Sequence, residues 1–312
     1  MPPRKILFSA QKNEGPFILE WVAYHKVIGF TDIVVVSNDC DDGSDDLLDR
    51  LHGAREVTHI RQDVPHGMAP QKNAERQARR AGVFRNGDWV MWLDLDEFLF
   101  VQPGAHRIDD LIDAIRPAQG IAIAWRHFGD AGVMHWPGRQ LSDHFVLAEK
   151  RNRGRPRQIK TLFRWSDEIE ALDIHRPIFV QGTNFDTFPM VGSHGKPVSE
   201  KFYDMTRRAP HNWLDDTDRV YRLGQVFHFA ARTPDLYHEK KVARGRGYAA
   251  QNKPNARHSI ESRPNFNQVE ERSGLAFVPA VTAEMKRLYD LPEVKAACDA
   301  IPWFKFDHAA RE

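Results

Sequence analysis

Cysteine is scarce: Cys40 and Cys298 are the only two in 312 residues. They leave no disulfide framework, CxxC redox pair or cysteine-held zinc cluster, so both read as structural thiols. Charge of one sign is also missing. The 44 Lys and Arg balance 43 Asp and Glu for a formal net charge of +1, so no global field draws the chain onto nucleic acid or an anionic membrane. Any partner is recognised locally. The longest apolar runs, residues 33–36 and 121–125, are strand-sized, whereas a membrane helix needs about 20 such residues. No transmembrane segment is expected, and peripheral membrane contact stays open. Residues 1–10 offer only Ile6, Leu7 and Phe8 as an apolar stretch, too short for a secretory signal, which makes the expected location cytoplasmic. No internal repeat occurs. No G-x-G-x-x-G follows the first predicted strand, where Lys12-Asn13-Glu14-Gly15 stands instead, which argues against a dinucleotide oxidoreductase.

What is present is the composition of an ordinary globular protein, 41% hydrophobic and 28% charged, long enough for one large α/β domain or two modest ones. The first hundred residues alternate β-branched runs with helical spacing, the pattern of βαβ units around a largely parallel sheet. Strands are predicted at 5–9, 32–37, 57–61 and 89–93. Between them, helical spacing runs through Ile18, Trp21, Val22, His25 and Ile28, with Pro16 in the first turn and Gly29 as the stop. Further helices are expected over 45–51 and 71–81. Beyond residue 103 the reading gives a helix at 108–115, strands at 121–125 and 225–230, a helix at 234–244, a loop or lid at 249–267, and terminal helices at 282–289 and 292–300.

Asp94 and Asp96, one residue apart where a buried strand emerges, suit a divalent cation that also meets phosphate oxygens. Lys12-Asn13-Glu14 and Asn38-Asp39 follow two other strands, so polar groups gather at one sheet edge. There Lys12 has the charge for a phosphate, and the amide and acidic groups have the acceptors for a ribose or base. Turn formation and helix capping account equally well for residues 38–44.

Four segments taken together, 11–14, Glu20-Trp21-Val22-Ala23-Tyr24-His25, 37–44 and Trp92-Leu93-Asp94-Leu95-Asp96-Glu97-Phe98, resemble the family-2-like glycosyltransferases of GT-A fold, especially the branch with family 92. The likeness covers about residues 4 to 245. It implies an α/β, Rossmann-like, mostly parallel central sheet flanked by helices, with a helical C-terminal extension. The domain would span 1–245, in a nucleotide-binding half to about 103 and an acceptor-side half beyond it, followed by a lid and helices over 246–312. It also implies transfer of a sugar from a nucleotide-diphosphate donor, a UDP-sugar foremost, to a carbohydrate, glycolipid or other hydroxyl acceptor, with Mn²⁺ or Mg²⁺ as cofactor. Asp96 would be the principal metal carboxylate, Asp94 would lie nearer the ribose, and His228 would be a third ligand. Lys12, Asn13, Glu14, Asn38, Asp39, Lys72, Asp94, Lys160 and His175 would bind the nucleotide sugar, with the basic run 239–244 near the diphosphate. For an inverting reaction Asp130 is the nominated base, with Glu170 and Asp173 as alternatives.

Two other readings compete. Haloacid-dehalogenase-like phosphohydrolases also carry D-x-D after an apolar strand, but on an early strand, and here three strands precede it. A nucleotide-sugar-binding protein without catalysis would keep the same pocket.

Overall fold

The computed structural model describes residues 2–151, 155–206, 211–215, 217, 219–237 and 263–306. Among them, no helix is long and apolar enough to cross a membrane. The N-terminal half is β1 (Lys5–Gln11), α1 (Gly15–Ile28), β2 (Asp32–Ser37), α2 (Ser44–Gly53), β3 (Thr58–Arg61), α3 (Pro70–Arg80), β4 (Trp89–Trp92), β5 (Glu97–Val101) and α4 (Ile108–Ala114). There follow β6 (Gly120–His127), β7 (Leu147–Ala148), β8 (Arg157–Arg164), β9 (Ile169–Leu172), β10 (Pro177–Phe179), β11 (Met190–Gly192), β12 (Trp213–Leu214) and β13 (Gly224–His228). The chain ends with α5 (Pro234–Tyr237), β14 (Val269–Glu270), α6 (Val278–Tyr289) and α7 (Pro292–Ala300).

The main sheet runs β3-β2-β1-β4-β8-β6-β13-β5, with β11 beside β6 and β12 beside β8. Its first four strands are parallel, as the βαβ pattern predicts. From β8 onward it is mixed: β8 lies antiparallel between β4 and β6, and β13 runs parallel to β6 but antiparallel to β5. This is the α/β architecture of the GT-A type. Because β1, β2, β3 and β4 point the same way, their carboxyl ends share one rim, where crevices of open α/β sheets form.

Local sequence explains why this rim is rigid. Helix α1 starts at Gly15-Pro16, where proline forfeits no needed hydrogen bond, and stops at Gly29, whose φ of +107° lets its N–H reach the carbonyls of His25 and Lys26. It is buried along nearly its whole length because it lies between the sheet and α6. Trp21 Nε1 donates to the Glu97 carbonyl (3.0 Å) and the Tyr24 hydroxyl to the Leu99 carbonyl (2.8 Å), so α1 grips β5 at the point where the rim turns. Phe17, Trp21 and Tyr24 share one core with Val281, Met285 and Leu288 of α6.

His25 on α1 gives an expected pH dependence. Its Nδ1 lies 2.8 Å from the Trp21 carbonyl and so carries the proton, while Nε2 accepts from the Leu99 N–H at 3.5 Å. Burial pushes its pKa down to about 3, against a smaller upward pull from the Trp21 carbonyl. The unfolded chain then takes up a proton below its ordinary value near 6.5 while the folded chain does not, so stability is present above that value and is lost as pH falls toward 3. At pH 5 the loss is about 2 kcal/mol. His25→Gln, which keeps a donor and an acceptor but does not titrate, is expected to lessen the fall in stability between pH 7.5 and 5 by that amount, measured by urea unfolding at both pH values.

Candidate functional site

Strand β4 ends in a tight turn closed from both sides. The Glu97 N–H donates to the Asp94 carbonyl (3.0 Å), and Glu97 Oε2 accepts from the Asp94 N–H (2.8 Å). Strand β8 brings Lys160 beside this turn, because Leu162, two residues on, pairs with Met91. The Lys160 ammonium lies 2.9 Å from Glu97 Oε2 and 3.5 Å from Asp94 Oδ2, and both the Lys160 and Glu97 side chains are sealed from solvent. Burial raises the Glu97 carboxyl to about 8, opposed by the Lys160 charge and assisted by Asp94 and Asp96. Burial alone would lower the Lys160 pKa, but Asp94 and Glu97 overcome it and hold the ammonium charged. Lys160, expected at the donor, is therefore beneath the rim, and reaches a ligand only through Asp94.

Asp96, 2% exposed, meets side chains from β13 and the segment after it. Strand β13 aligns His228 with Glu97 on one side and His127 on the other, and the Phe229 N–H donates to the Asp96 carbonyl at 2.8 Å. His228 Nε2 is then 3.8 Å from Asp96 Oδ2, and Arg232 Nη2 is 3.7 Å from the same oxygen. Arg232 also donates to Glu14 Oε2 (2.8 Å) and stacks over Phe17, 3.8 Å from the ring centre. Trp125, His127 and His175 complete the group: the Trp125 ring centre is 4.4 Å from that of His228 and 5.4 Å from that of His175, and His127 is 4.9 Å from His228. Burial, then the Lys160 charge, lowers the His175 pKa to about 4, and burial lowers that of His127, so both rings are neutral near pH 7.

The carboxyl ends of β1, β2 and β3 carry a polar ladder. Asn73 Nδ2 donates to Gln62 Oε1 (2.8 Å), and Gln62 Nε2 to Asn38 Oδ1 (3.3 Å), whose own amide donates to Asp39 (2.9 Å). Asn13 Oδ1 accepts from the Asp41 N–H at 3.0 Å, tying the first rim loop to the second. Lys12 is half-buried at the same edge, and Lys72 is exposed in the first turn of α3. Asn13, Asp39 and Arg232 all have left-handed backbone, with φ of +55°, +47° and +48°. That conformation is cheap for Asn and Asp and costly for Arg, and strain of this kind gathers at functional sites. Nearby, Ser37 Oγ, His59 and Asp49 form a hydrogen-bonded chain of 2.8 and 2.6 Å. Ser37 is 1% exposed, so the chain pins β2 to β3 and α2 and is closed to a substrate.

Two of the nominated groups already have partners within the protein. Asp130, nominated as base, accepts from the Gly132 N–H and Asn267 Nδ2 on Oδ1 (2.9 Å each), and from Arg263 and Asn265 Nδ2 (3.0 Å) on Oδ2. Burial would raise its pKa, but these hydrogen bonds and the Arg263 charge hold it below the usual carboxylate value. With its acceptor directions taken, Asp130 clamps loop 129–132 to segment 263–267 and is not set to take a proton. Among the described residues no three His, Cys, Asp or Glu side chains form a group able to hold a metal; Asp96 and His228 approach each other as a pair, and Asp94 lies beside Lys160. Of the alternative bases, Glu170 is exposed on β9, and Asp173 closes the β9–β10 turn by its N–H to the Arg176 carbonyl (3.1 Å). The basic run 239–244, and the predicted helix and lid beyond residue 237 as far as 262, lie outside the described residues.

Sequence reasoning gave no individual role to Glu97, Gln62 or Arg232, and placed His127 only within segment 125–132, which resembles the acceptor-side loop of the family. Only Glu97 carried a usable signal: a carboxylate beginning an otherwise apolar run, Phe98-Leu99-Phe100-Val101, calls for a buried cation.

A parallel βαβ half, a carboxylate turn at its carboxyl rim and a mixed second half define a protein of the GT-A class. More particularly, the chain belongs to glycosyltransferase family 92, whose model matches residues 11–218. It is 26% identical over 144 residues to a glycosyltransferase family 92 protein of Ricinus communis, covering 45% of this chain and 26% of the relative. It is 30% identical over 138 residues to another of Oryza sativa subsp. japonica, covering 43% and 23%. The matched stretch thus spans about a quarter of these curated relatives. Among solved structures, S. aureus TarS 1–349 aligns with a TM-score of 0.33 at 13% identity, over 52% of this chain and 47% of TarS. The complex of that protein with UDP-GlcNAc aligns with a TM-score of 0.31 at 14% identity, over 43% and 38%.

Proposed function

We propose that the protein is a metal-dependent glycosyltransferase that moves a sugar from a nucleotide-diphosphate donor, a UDP-sugar foremost, to an acceptor hydroxyl with inversion. The observation that carries this reading is the approach of Asp96 to His228 at 3.8 Å, at the rim where polar groups from four strand ends collect. A carboxylate oxygen and an imidazole nitrogen bound to one Mn²⁺ or Mg²⁺ lie no more than about 4.4 Å apart, so the pair fits a common ion with room left for phosphate oxygens. When bound, that ion supplies positive charge to the departing diphosphate.

The chain's own groups divide the remaining work. Arg232 Nε and Nη1 are buried with no acceptor among the described residues, which suits an incoming phosphate, and Glu14 holds the guanidinium in place. Asn38, Asp39 and Asn13 present amide and carboxylate groups to the nucleoside, with Lys12 beside them. Lys160 keeps Asp94 oriented, and neutral His175 packs against Trp125 behind it.

A thermal-shift screen of UDP-, GDP-, CMP- and dTDP-sugars with and without Mn²⁺ tests the reading. A UDP-sugar with Mn²⁺, at a hundredfold excess over Kd, is expected to raise Tm by about 5 °C, and chelator to remove most of that rise. Absence of a shift with every donor, together with release of phosphate from simple phosphoesters, overturns it in favour of a phosphohydrolase.

A further inference from the structure

A cavity of about 320 Å³ adjoins the rim and shares the Trp125 and His127 walls with it, the two side chains whose rings lie tilted against His228. That volume is at the small end of ligand pockets, about 300–1,000 Å³. Trp213, 41% exposed, and Phe266 add two more aromatic surfaces. Such surfaces pack against the C–H face of a sugar ring, and the ring hydroxyls need polar partners.

The charge of the lining is one-sided. Residues 150–157 read Lys-Arg-Asn-Arg-Gly-Arg-Pro-Arg, five cations and no acid in a chain whose formal net charge is +1. Lys150, Arg155 and Arg157 line the cavity, and among the described residues Glu149 is its one carboxylate, already matched by Arg157. Lys150 is held in position, since its N–H donates to Gln268 Oε1 (3.0 Å) and its carbonyl accepts from Arg157 Nη2 (3.2 Å). The β7–β14 pairing, which joins Ala148 to Val269, fixes the same edge. Exposed Lys150 and Arg155 are thus presented by fixed backbone beside an aromatic wall, at the side of the rim that the nucleotide half does not build.

Resting on the transferase reading above, we propose that this cavity is the acceptor subsite and that the acceptor is an acidic saccharide, a sugar carrying a phosphate or a carboxylate. Trp213 and Phe266 take the ring, and Lys150 and Arg155 take the anion by charge-assisted hydrogen bonds. Neutral sugars engage the aromatic surfaces alone.

Calorimetric titration of the full chain without donor tests this, using methyl β-glucuronide, glucose 6-phosphate, methyl β-glucoside and inorganic phosphate as probes. At least one acidic sugar is expected to bind about tenfold tighter than the glucoside, the glucuronide or the phosphate arm telling which anion is read. The Lys150→Ala/Arg155→Ala variant is expected to lose that preference while its donor-induced thermal shift is unchanged. Trp213→Ala is expected to weaken acidic and neutral sugars alike. Equal binding of all three sugars, a double variant that keeps the preference, or inorganic phosphate as tight as glucose 6-phosphate would each overturn the proposal. Because no donor is present, a chain that binds acidic sugars but no nucleotide sugar sinks the transferase reading, whereas one that binds donor but prefers no acidic sugar sinks only the acceptor assignment.

Discussion

Asp96→Asn is expected to lower sugar transfer by at least about a thousandfold with the fold kept. The substitution preserves side-chain shape and the Asp96 carbonyl's bond from Phe229, so circular dichroism and the cooperativity of unfolding should match the parent. What it removes is the negative charge that faces both His228 and Arg232. Without it the proposed metal pair would lose its anionic member, and charge on a departing diphosphate would lose a partner worth about 4 kcal/mol of barrier. Donor turnover, followed as nucleoside diphosphate released with Mn²⁺ present, checks this. Turnover within tenfold of the parent means that Asp96 takes no part in the chemistry.

The second large effect is on stability. Lys160→Met keeps the stem and removes the cation that lies against Glu97 and Asp94 in a sealed interior. Taking away one partner of a buried ionic group leaves the other uncompensated, which costs about 3–5 kcal/mol. Burial raises Glu97 even against the Lys160 charge, and removing that cation raises it further, so in the variant its carboxyl takes up a proton as pH falls and sheds the stranded charge. The deficit is therefore expected to be smaller at pH 6 than at pH 8.5. Glu97→Gln in the Lys160→Met background should recover part of it, and urea unfolding of both single variants and the double variant measures the coupling. An unchanged midpoint in Lys160→Met would mean that the ammonium compensates nothing.

The N-terminal half was readable because its signals are local. Ile33-Val34-Val35-Val36 is a strand covered on both faces, and Pro16 and Gly29 bracket α1 within a few residues of where the structure begins and ends it. The D-x-D at the end of β4 was legible for the same reason. Past residue 103 the contacts are long-range, and local pattern fails. Strand β5 hides behind the acidic motif it follows, and its antiparallel partner β13 arrives more than a hundred residues later. Asp130 looked available because the residues that occupy it, Arg263, Asn265 and Asn267, sit in a stretch with no periodicity. Lys160 reads as a polar residue in an apolar run, and only the pairing of β8 with β4 shows that it points at Glu97. The meeting of His228 with Asp96 came from family resemblance and from nothing in the spacing.

The insertion of β13 between β5 and β6 has a bearing on synthesis. A ribosome that has finished the D-x-D turn has made only one side of the pair, and the imidazole and guanidinium that complete it are translated after both flanking strands. A nascent chain therefore holds its carboxylates without their counterparts, and the proposed chemistry on an activated sugar becomes possible only late, when the last strand of the main sheet slots home.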